Sequence, residues 1–123
     1  MARLNKYGVF TGCETIRLSD QANQKATVEV VEFEGRFFYG VHVRYGGCSE
    51  GSAGHCFAPM IDGPYAHYHS REAAILAAKK HISDHIRHEI KRGMLDPQRH
   101  KTPYKCACRI LKDAAAMVQM EMF

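Results

Sequence analysis

The feature that most constrains the fold is a segment with the periodicity and both end signals of one long helix, residues Ser70 to Gly93. Ser70 is a favourable N-cap because its hydroxyl can accept from an amide one turn in, and Gly93 readily takes the left-handed conformation that ends helices. Apolar residues recur at the spacing of one helix face: Ile75, Ala78, Ile82, Ile86 and Ile90. We expect an amphipathic helix whose apolar stripe is covered by the rest of the chain.

The polar side of this helix carries histidines and basic residues. The histidines lie along one flank of the apolar stripe at i, i+4 and i+7, and they are His81, His85 and His88. This spacing allows metal chelation, and the alternatives are an ordinary solvated flank, a pH-sensitive face or a contact surface for phosphates. Arg92 stands where an HExxH motif starting at His88 would need its second histidine, so a metalloprotease is not indicated. The basic residues predicted to face water or a partner are Lys80, Arg87, Lys91 and Arg92.

The clearest strand signal runs from Thr27 to Tyr45, with Glu34-Gly35 as a two-residue turn in its middle. This turn places Val30 opposite Tyr39 and Val28 opposite Val41. One face of the hairpin is then apolar and should meet the helix. The other face is mixed and is predicted to be half-exposed, with Val31, Phe33, Phe38, His42 and Arg44 on it.

The remaining segments give weaker signals. His55 to Ile61 is predicted as a third strand, and a second amphipathic helix is predicted to Met122, with Thr102 as N-cap and Pro103 at its first position. Ser19 to Lys25 is polar and is expected to form a loop, while residues 1–26 as a whole give no clear prediction. The expected fold is a single α+β domain over residues 1–123, a three-stranded antiparallel sheet followed by two amphipathic helices (β-β-β-α-α).

Charge is unevenly distributed along the 123 residues. The formal net charge is +4, of which residues 1–70 contribute −1 and residues 71–123 contribute +5. A basic C-terminal half suits an acidic partner, either nucleic acid or an acidic protein face, although it also serves solubility. Because the chain shows neither a signal-peptide core nor an apolar run of about 18 residues, we expect a cytoplasmic protein with no membrane partner.

Cysteine and histidine usage raises zinc as a possible cofactor. The five cysteines suggest reduced thiols or metal ligands rather than a disulfide framework. A set of two cysteines and two histidines in or beside loops can surround one zinc ion, and it consists of Cys48, Cys56, His67 and His69. The alternative is that these are ordinary thiols and surface imidazoles and that the chain binds no cofactor.

Catalysis is not indicated by any strong motif. The only nucleophile pairing that the sequence offers is Cys56 with His55 or His67. The pattern Gly-x-Ser-x-Gly occurs once, at Gly47 to Gly51, but it lies in a glycine-rich loop that leads into a predicted strand, whereas a nucleophile elbow joins a strand to a helix. We therefore expect a non-enzymatic protein.

Nucleic-acid binding is suggested by basic residues in the C-terminal half and by Phe38, His42 and Arg44. These three residues are expected to be exposed on the sheet, where they could stack on bases or pair with a backbone. The basic set is Lys79, Lys80, Arg87, Lys91, Arg92, Arg99, Lys101, Lys105 and Arg109. The order of three strands and a helix beginning SREAAILAAKK resembles double-stranded RNA-binding domains over residues 27–82. That resemblance implies minor-groove and phosphate contacts, although Arg71 is the only basic residue where the family has a lysine cluster.

A second pattern is similar to small accessory proteins of phages and plasmids. It consists of Arg36-Phe37-Phe38-Tyr39-Gly40, then Pro64-Tyr65, then Ser70-Arg71-Glu72-Ala73-Ala74, and it covers residues 36–78. The resemblance implies a non-enzymatic, anti-defence (anti-CRISPR-like) binder that engages a protein or ribonucleoprotein complex. The expectation from the sequence is therefore a small binding protein of this kind. The alternatives are a direct RNA- or DNA-binding domain and a zinc-stabilised binding module, and the oligomeric state is open.

Overall fold

The computed structural model describes residues 3–21, 24–45, 53–61, 67–93 and 95–121. In these ranges the fold is α+β, with sheets of two and four antiparallel strands and two helices. The elements are β1 (Arg3–Leu4), β2 (Phe10–Thr11), β3 (Glu14–Gln21), β4 (Gln24–Phe33), β5 (Arg36–Tyr45), β6 (Ala53–Phe57), α1 (Arg71–Lys91) and α2 (Lys101–Glu121). β1 pairs with β2, and the larger sheet has the order β3-β4-β5-β6.

The first helix, α1, forms where its periodicity and end signals predict it. The Ser70 hydroxyl accepts a hydrogen bond from the Ala73 amide at 3.1 Å, which satisfies a donor that has no partner within the helix. Gly93 follows the helix with φ of +79°, the left-handed conformation expected of a residue that ends a helix. Of the predicted apolar stripe, Ile75, Ala78, Ile82 and Ile86 are buried, and Ile90 is half-buried against the core.

The β4–β5 hairpin also follows its prediction. Phe33 pairs with Arg36 across the turn, and Val30 lies opposite Tyr39. Glu34 and Gly35 have φ of 52° and +77°, the two positive values that a type I′ turn requires. This turn matches the twist of the flanking strands, so it fixes the register that places the apolar face towards the helices.

Strand β3 corrects the expected loop at residues 19–25. Residues 19–21 belong to β3, residues 24–25 belong to β4, and only residues 22–23 lie outside the described part of the chain. The pairing runs from Glu14 opposite Val30 to Gln21 opposite Gln24. The backbone of β4 supplies the hydrogen bonds, so the polar composition of this stretch does not prevent it from forming a strand. The sheet is therefore four-stranded rather than three-stranded.

The third predicted strand, His55 to Ile61, is displaced towards the N-terminus. The pairing of β6 with β5 ends at Phe57, and the chain then leaves the sheet at Pro59. Pro59 has no amide proton to donate, but its carbonyl accepts from the Phe10 amide at 3.0 Å. Residues 58–61 thus run beside the β1–β2 hairpin instead of extending β6.

Two apolar cores lie on opposite faces of the four-stranded sheet. The main core joins one face of β4 and β5 to the buried sides of α1 and α2. The second, smaller core consists of Phe10, Val31 and Phe38. Phe38 is only 4% exposed because Phe10 from the β1–β2 hairpin covers it, with ring centroids 4.9 Å apart. The prediction of an exposed Phe38 is therefore wrong.

The second helix, α2, begins earlier than predicted. It starts at Lys101, and the Tyr104 amide donates to the His100 carbonyl at 2.8 Å, so Thr102 is not the N-cap. A turn before the helix sets this start, because the Asp96 carboxylate accepts from the amides of Gln98 and Arg99. Within the described residues, neither helix is long and apolar enough to cross a membrane.

Candidate macromolecule-binding surface

The solvent side of α1 presents the basic residues that the sequence assigns to it. Lys80, Arg87, Lys91 and Arg92 are all exposed. Lys80, Arg87 and Lys91 lie within about 40° of one another around the helix, opposite its buried residues. Across the ranges that the structure describes, none of the four forms an ion pair. We call Lys80, Arg87, Lys91 and Arg92 the α1 basic face.

Two other basic residues of α1 are not available to a partner in the same way. Lys79 is fully buried, which removes it from the basic set predicted for nucleic-acid binding. The Arg71 guanidinium pairs with the Glu14 carboxylate through two bonds, one of them from Nε to Oε2 at 2.8 Å. This pair lowers the pKa of Glu14 and joins the start of α1 to β3. Arg71, the basic residue at the position where double-stranded RNA-binding domains have a lysine cluster, is therefore already paired with a carboxylate.

A surface groove of about 290 Å³ lies beside the Arg71–Glu14 pair. Its charged lining residues are Glu14, Glu32 and Arg71. Because Glu14 already neutralises the only cation of this lining, the groove does not suit an anionic ligand.

A second row of cations runs along α2, and we call it the α2 basic stripe. Its members are all exposed and are spaced four, four and three residues apart: Lys101, Lys105, Arg109 and Lys112. This spacing keeps the four side chains within about 80° of the helix circumference, opposite the buried residues Cys106, Ala107 and Ile110. The basic set predicted from the sequence does not include Lys112, although its position three residues after Arg109 identifies it as a member of the stripe.

The predicted histidine flank divides into two parts. His88 is exposed, whereas His81 and His85 are half-buried against β6. There they meet His55, whose Nε2 atom lies 3.0 Å from His81 Nε2. The His85 ring stacks on the His55 ring with centroids 4.3 Å apart. His55 is thus a member of the cluster that the helical spacing alone could not reveal.

The His55–His81 contact has the geometry of a hydrogen bond between two imidazole rings. The two ring planes are inclined by only 16° and their centroids are 5.1 Å apart, so the rings lie nearly end to end with their Nε2 atoms facing each other. One nitrogen must donate and the other must accept. The Tyr39 hydroxyl lies 3.5 Å from His81 Nδ1 on the far side of the ring. This arrangement links β5, β6 and α1.

The environment of the cluster disfavours imidazolium. Burial and the neighbouring His55 and His85 lower the pKa of His81, while Asp84 opposes the shift. Burial and His55 likewise lower the pKa of His85, with Glu89 opposing and His88 adding to the effect. His81 and His85 therefore serve first as neutral contacts between α1 and β6. Of the predicted histidines of α1, His88 is the one that is fully open to a partner.

His42 and Arg44 lie on the other side of the sheet from the α1 basic face. Their neighbours Val43 and Tyr45 face the helices, and successive side chains of a strand point to opposite faces. Arg44 is exposed, while His42 is half-buried opposite Thr27 and Cys56. The helix residues and the sheet residues of the predicted binding set thus lie on two separate surfaces.

The predicted zinc ligands are only partly within the described residues. Cys48 lies outside them, and Cys56, His67 and His69 are all exposed. The rings of His67 and His69 are 5.8 Å apart and nearly perpendicular. Within the described ranges, no three His, Cys, Asp or Glu side chains are placed to hold one metal ion. A zinc site that includes Cys48 stays a prediction.

The nucleophile pairing of Cys56 with His55 is not supported by the strand geometry. The two residues are neighbours in β6 and project to opposite faces, and His55 is engaged by His81 and His85. The four described cysteines, Cys13, Cys56, Cys106 and Cys108, are free thiols. Burial raises the pKa of the Cys13 thiol, with a further contribution from Glu29, which disfavours the reactive thiolate.

No family model, curated protein or solved structure matches this chain.

Proposed function

We propose that this chain is a non-catalytic binding protein that engages a protein or ribonucleoprotein complex through the α1 basic face. The observation that carries the proposal is the row of Lys80, Arg87 and Lys91, exposed on the side of α1 that faces away from the core and free of ion pairs within the described ranges. Cations without an intramolecular partner attract an acidic surface and accelerate its encounter. An accessory protein of a mobile element with an anti-defence role is the class that this proposal favours.

An apolar residue at one end of the same face supports a protein contact. Leu76 is 37% exposed and lies four residues before Lys80, on the same side of α1. Protein interfaces combine apolar anchors with a charged rim, and Leu76 with the flanking cations offers both in one strip of helix.

The experiment compares capture of cellular partners by the wild-type protein and by two variants of equal charge. Lys80→Gln/Arg87→Gln removes two cations from the α1 basic face, and Arg3→Gln/Lys25→Gln removes two exposed cations from strands β1 and β4. We expect the first variant to recover about tenfold less of a specific partner, because steering and rim contacts are lost, and the second to match the wild type. Quantitative mass spectrometry of the captured proteins gives the readout.

Nuclease treatment of half of each lysate separates a protein partner from a ribonucleoprotein. Capture of the same partners by all three proteins at equal yield would contradict the proposal. Thermal melting of each variant checks that the loss does not arise from unfolding.

The alternative function is direct binding of RNA or DNA. The observation that favours it is the α2 basic stripe. A protein that contacts the α1 basic face leaves this stripe without a role, whereas RNA or DNA could bind to it.

A further inference from the structure

The α2 basic stripe differs in character from the α1 basic face. Residues 101–112 contain no Asp or Glu, so no acid interrupts the four cations. The large apolar side chains that are exposed in the described residues are Leu4, Tyr7, Met60 and Leu76. None of them lies among residues 101 and 103–112, the part of α2 whose side chains the structure describes. The stripe therefore offers charge without the apolar or aromatic anchors on which protein interfaces depend.

The dimensions of the stripe suit a regular line of anions. At 1.5 Å of rise per residue, Lys101 and Lys112 are about 16 Å apart along the helix axis, with cations about every 5 Å. One strand of a duplex places a phosphate every 3.4 Å along its axis, so about five phosphates span the same length. The guanidinium of Arg109 can hold a phosphate through two bonds, and the lysines act as point charges.

We propose that the α2 basic stripe binds the phosphodiester backbone of a nucleic-acid duplex without reading its sequence. The inference deepens the proposed function, on which it rests, by assigning α2 to the nucleic acid of a ribonucleoprotein while α1 contacts protein. Both helices lie against the same face of the sheet and contact each other, so one partner complex can meet the outer sides of both.

Fluorescence anisotropy of the purified full chain with short labelled duplexes tests the inference. Duplex RNA and duplex DNA of matched sequence form two arms, and labelled polyglutamate forms the third. With four phosphate contacts, we expect the logarithm of the association constant to fall with the logarithm of salt concentration with a slope of about −3.6. Affinity would then decrease about 100-fold between about 50 and 200 mM salt.

Two substitutions on α2 locate the binding surface. Lys105→Gln/Arg109→Gln should reduce the slope to about −1.8 and weaken binding about 50-fold at about 0.1 M salt. The reason is that binding releases about one counterion for each phosphate contact, and this variant has lost two contacts. The equal-charge control Arg3→Gln/Lys25→Gln should retain most of the slope and affinity. Lys101→Gln/Lys112→Gln, at the two ends of the stripe, gives a second reading if the first variant does not fold.

Each result decides one question. Preference for one duplex over the other identifies the nucleic acid, and equal binding shows recognition of the backbone alone. Failure to bind either duplex at about 50 mM salt, or equal weakening by the α2 and control variants, overturns the inference. Binding to polyglutamate but to neither duplex overturns it while leaving a protein partner of the α1 basic face intact. Duplex binding together with unchanged capture by the α1 variant overturns the proposed function instead.

Discussion

Because Gly40 has no side chain, residues 57–59 can pack very closely against the backbone of β5. A Cβ atom at this position would lie 2.5 Å from the Phe57 carbonyl oxygen and 2.7 Å from Pro59 Cδ. Two of the three nearest atoms belong to the backbone of residues 57 and 59, so the conflict cannot be relieved by rotating a flexible side chain. This contact holds residues 58–61 in place, and these residues in turn carry the β1–β2 hairpin that covers Phe38.

Gly40→Ala should lower the free energy of unfolding by about 1–3 kcal/mol, the usual cost of overpacking a closely packed site. Gly93→Ala is a useful comparison, because a Cβ there meets no atom within 4 Å and the cost comes only from the positive φ. Urea unfolding at constant m-value measures both. Equal stability of Gly40→Ala and the wild type would show that residues 57–59 do not approach β5 as closely as described.

The burial of Phe38 is difficult to predict from the sequence. The alternation of the hairpin correctly places Phe38 on the face opposite the main core, but the mixed composition of that face predicts partial exposure. The residue that covers it, Phe10, comes from a segment of two-residue strands with no strong periodicity of its own. Burial of Phe38 is thus decided by a contact between residues far apart in sequence.

At the scale of elements, the start of α1 depends on one hydrogen bond that can be removed cleanly. Ser70→Ala deletes the acceptor for the Ala73 amide and should lower the free energy of unfolding by about 1 kcal/mol. Ser70→Asp keeps an acceptor at the same position and adds a negative charge near the positive end of the helix dipole, so its stability should match or exceed the wild type. Chemical denaturation of the two variants provides the measurement, and equal loss in both would exclude a capping role.

The elements that the sequence predicts well are those with local signals. α1 has a period, an N-cap and a terminal glycine within 24 residues, and the β4–β5 hairpin has alternation on both sides of a two-residue turn. By contrast, β3 is defined by pairing with β4, and its polar second half looks like a loop until that partner is present. The β1–β2 hairpin likewise depends on contacts with residues 59–61, which no local pattern reveals.

The residues of the candidate surface also separate into those that local spacing predicts and those that only contacts between distant residues reveal. Helical periodicity places Lys80, Arg87 and Lys91 on one exposed side, because exposure on an amphipathic helix follows from residue spacing alone. Periodicity also brings His81 and His85 together. It cannot identify His55, which lies 26 residues before His81 and meets it only because β6 is the edge strand next to α1.

For the whole molecule, the charge asymmetry of the sequence becomes an asymmetry between layers. The six strands that the structure describes lie in residues 1–70, which have a net charge of −1, and the two described helices lie in residues 71–123, which have +5. The exposed cations of α1 and α2 therefore lie on the side of the molecule away from the sheet. Such separation orients an approaching polyanion towards the helices before any contact forms.

The junction between β6 and α1 makes the stability of the whole molecule dependent on pH. In the folded protein, burial and neighbouring histidines keep the pKa values of His81 and His85 below the ordinary value of 6.5. The groups around them are His55, the Tyr39 hydroxyl, Asp84, His88 and Glu89. The unfolded chain therefore binds protons more readily than the folded one as the pH falls below about 7, so stability decreases there and levels off below the lowered pKa values.

Substituting both histidines with glutamine should flatten this decline. We expect the free energy of unfolding of wild-type protein to fall between about pH 7 and pH 5, and that of His81→Gln/His85→Gln to change much less, because glutamine does not titrate. The carboxylates with lowered pKa values, Glu14 and Asp96, stabilise the fold above their ordinary pKa values of 4.5 and 3.8. Their contribution to stability is lost mainly at lower pH, so it changes little between about pH 7 and pH 5. His69→Gln changes an exposed histidine away from the cluster and should retain the wild-type decline. Urea unfolding across this range measures all three proteins, and an equal slope in the double variant and the wild type would assign the acid sensitivity to other groups.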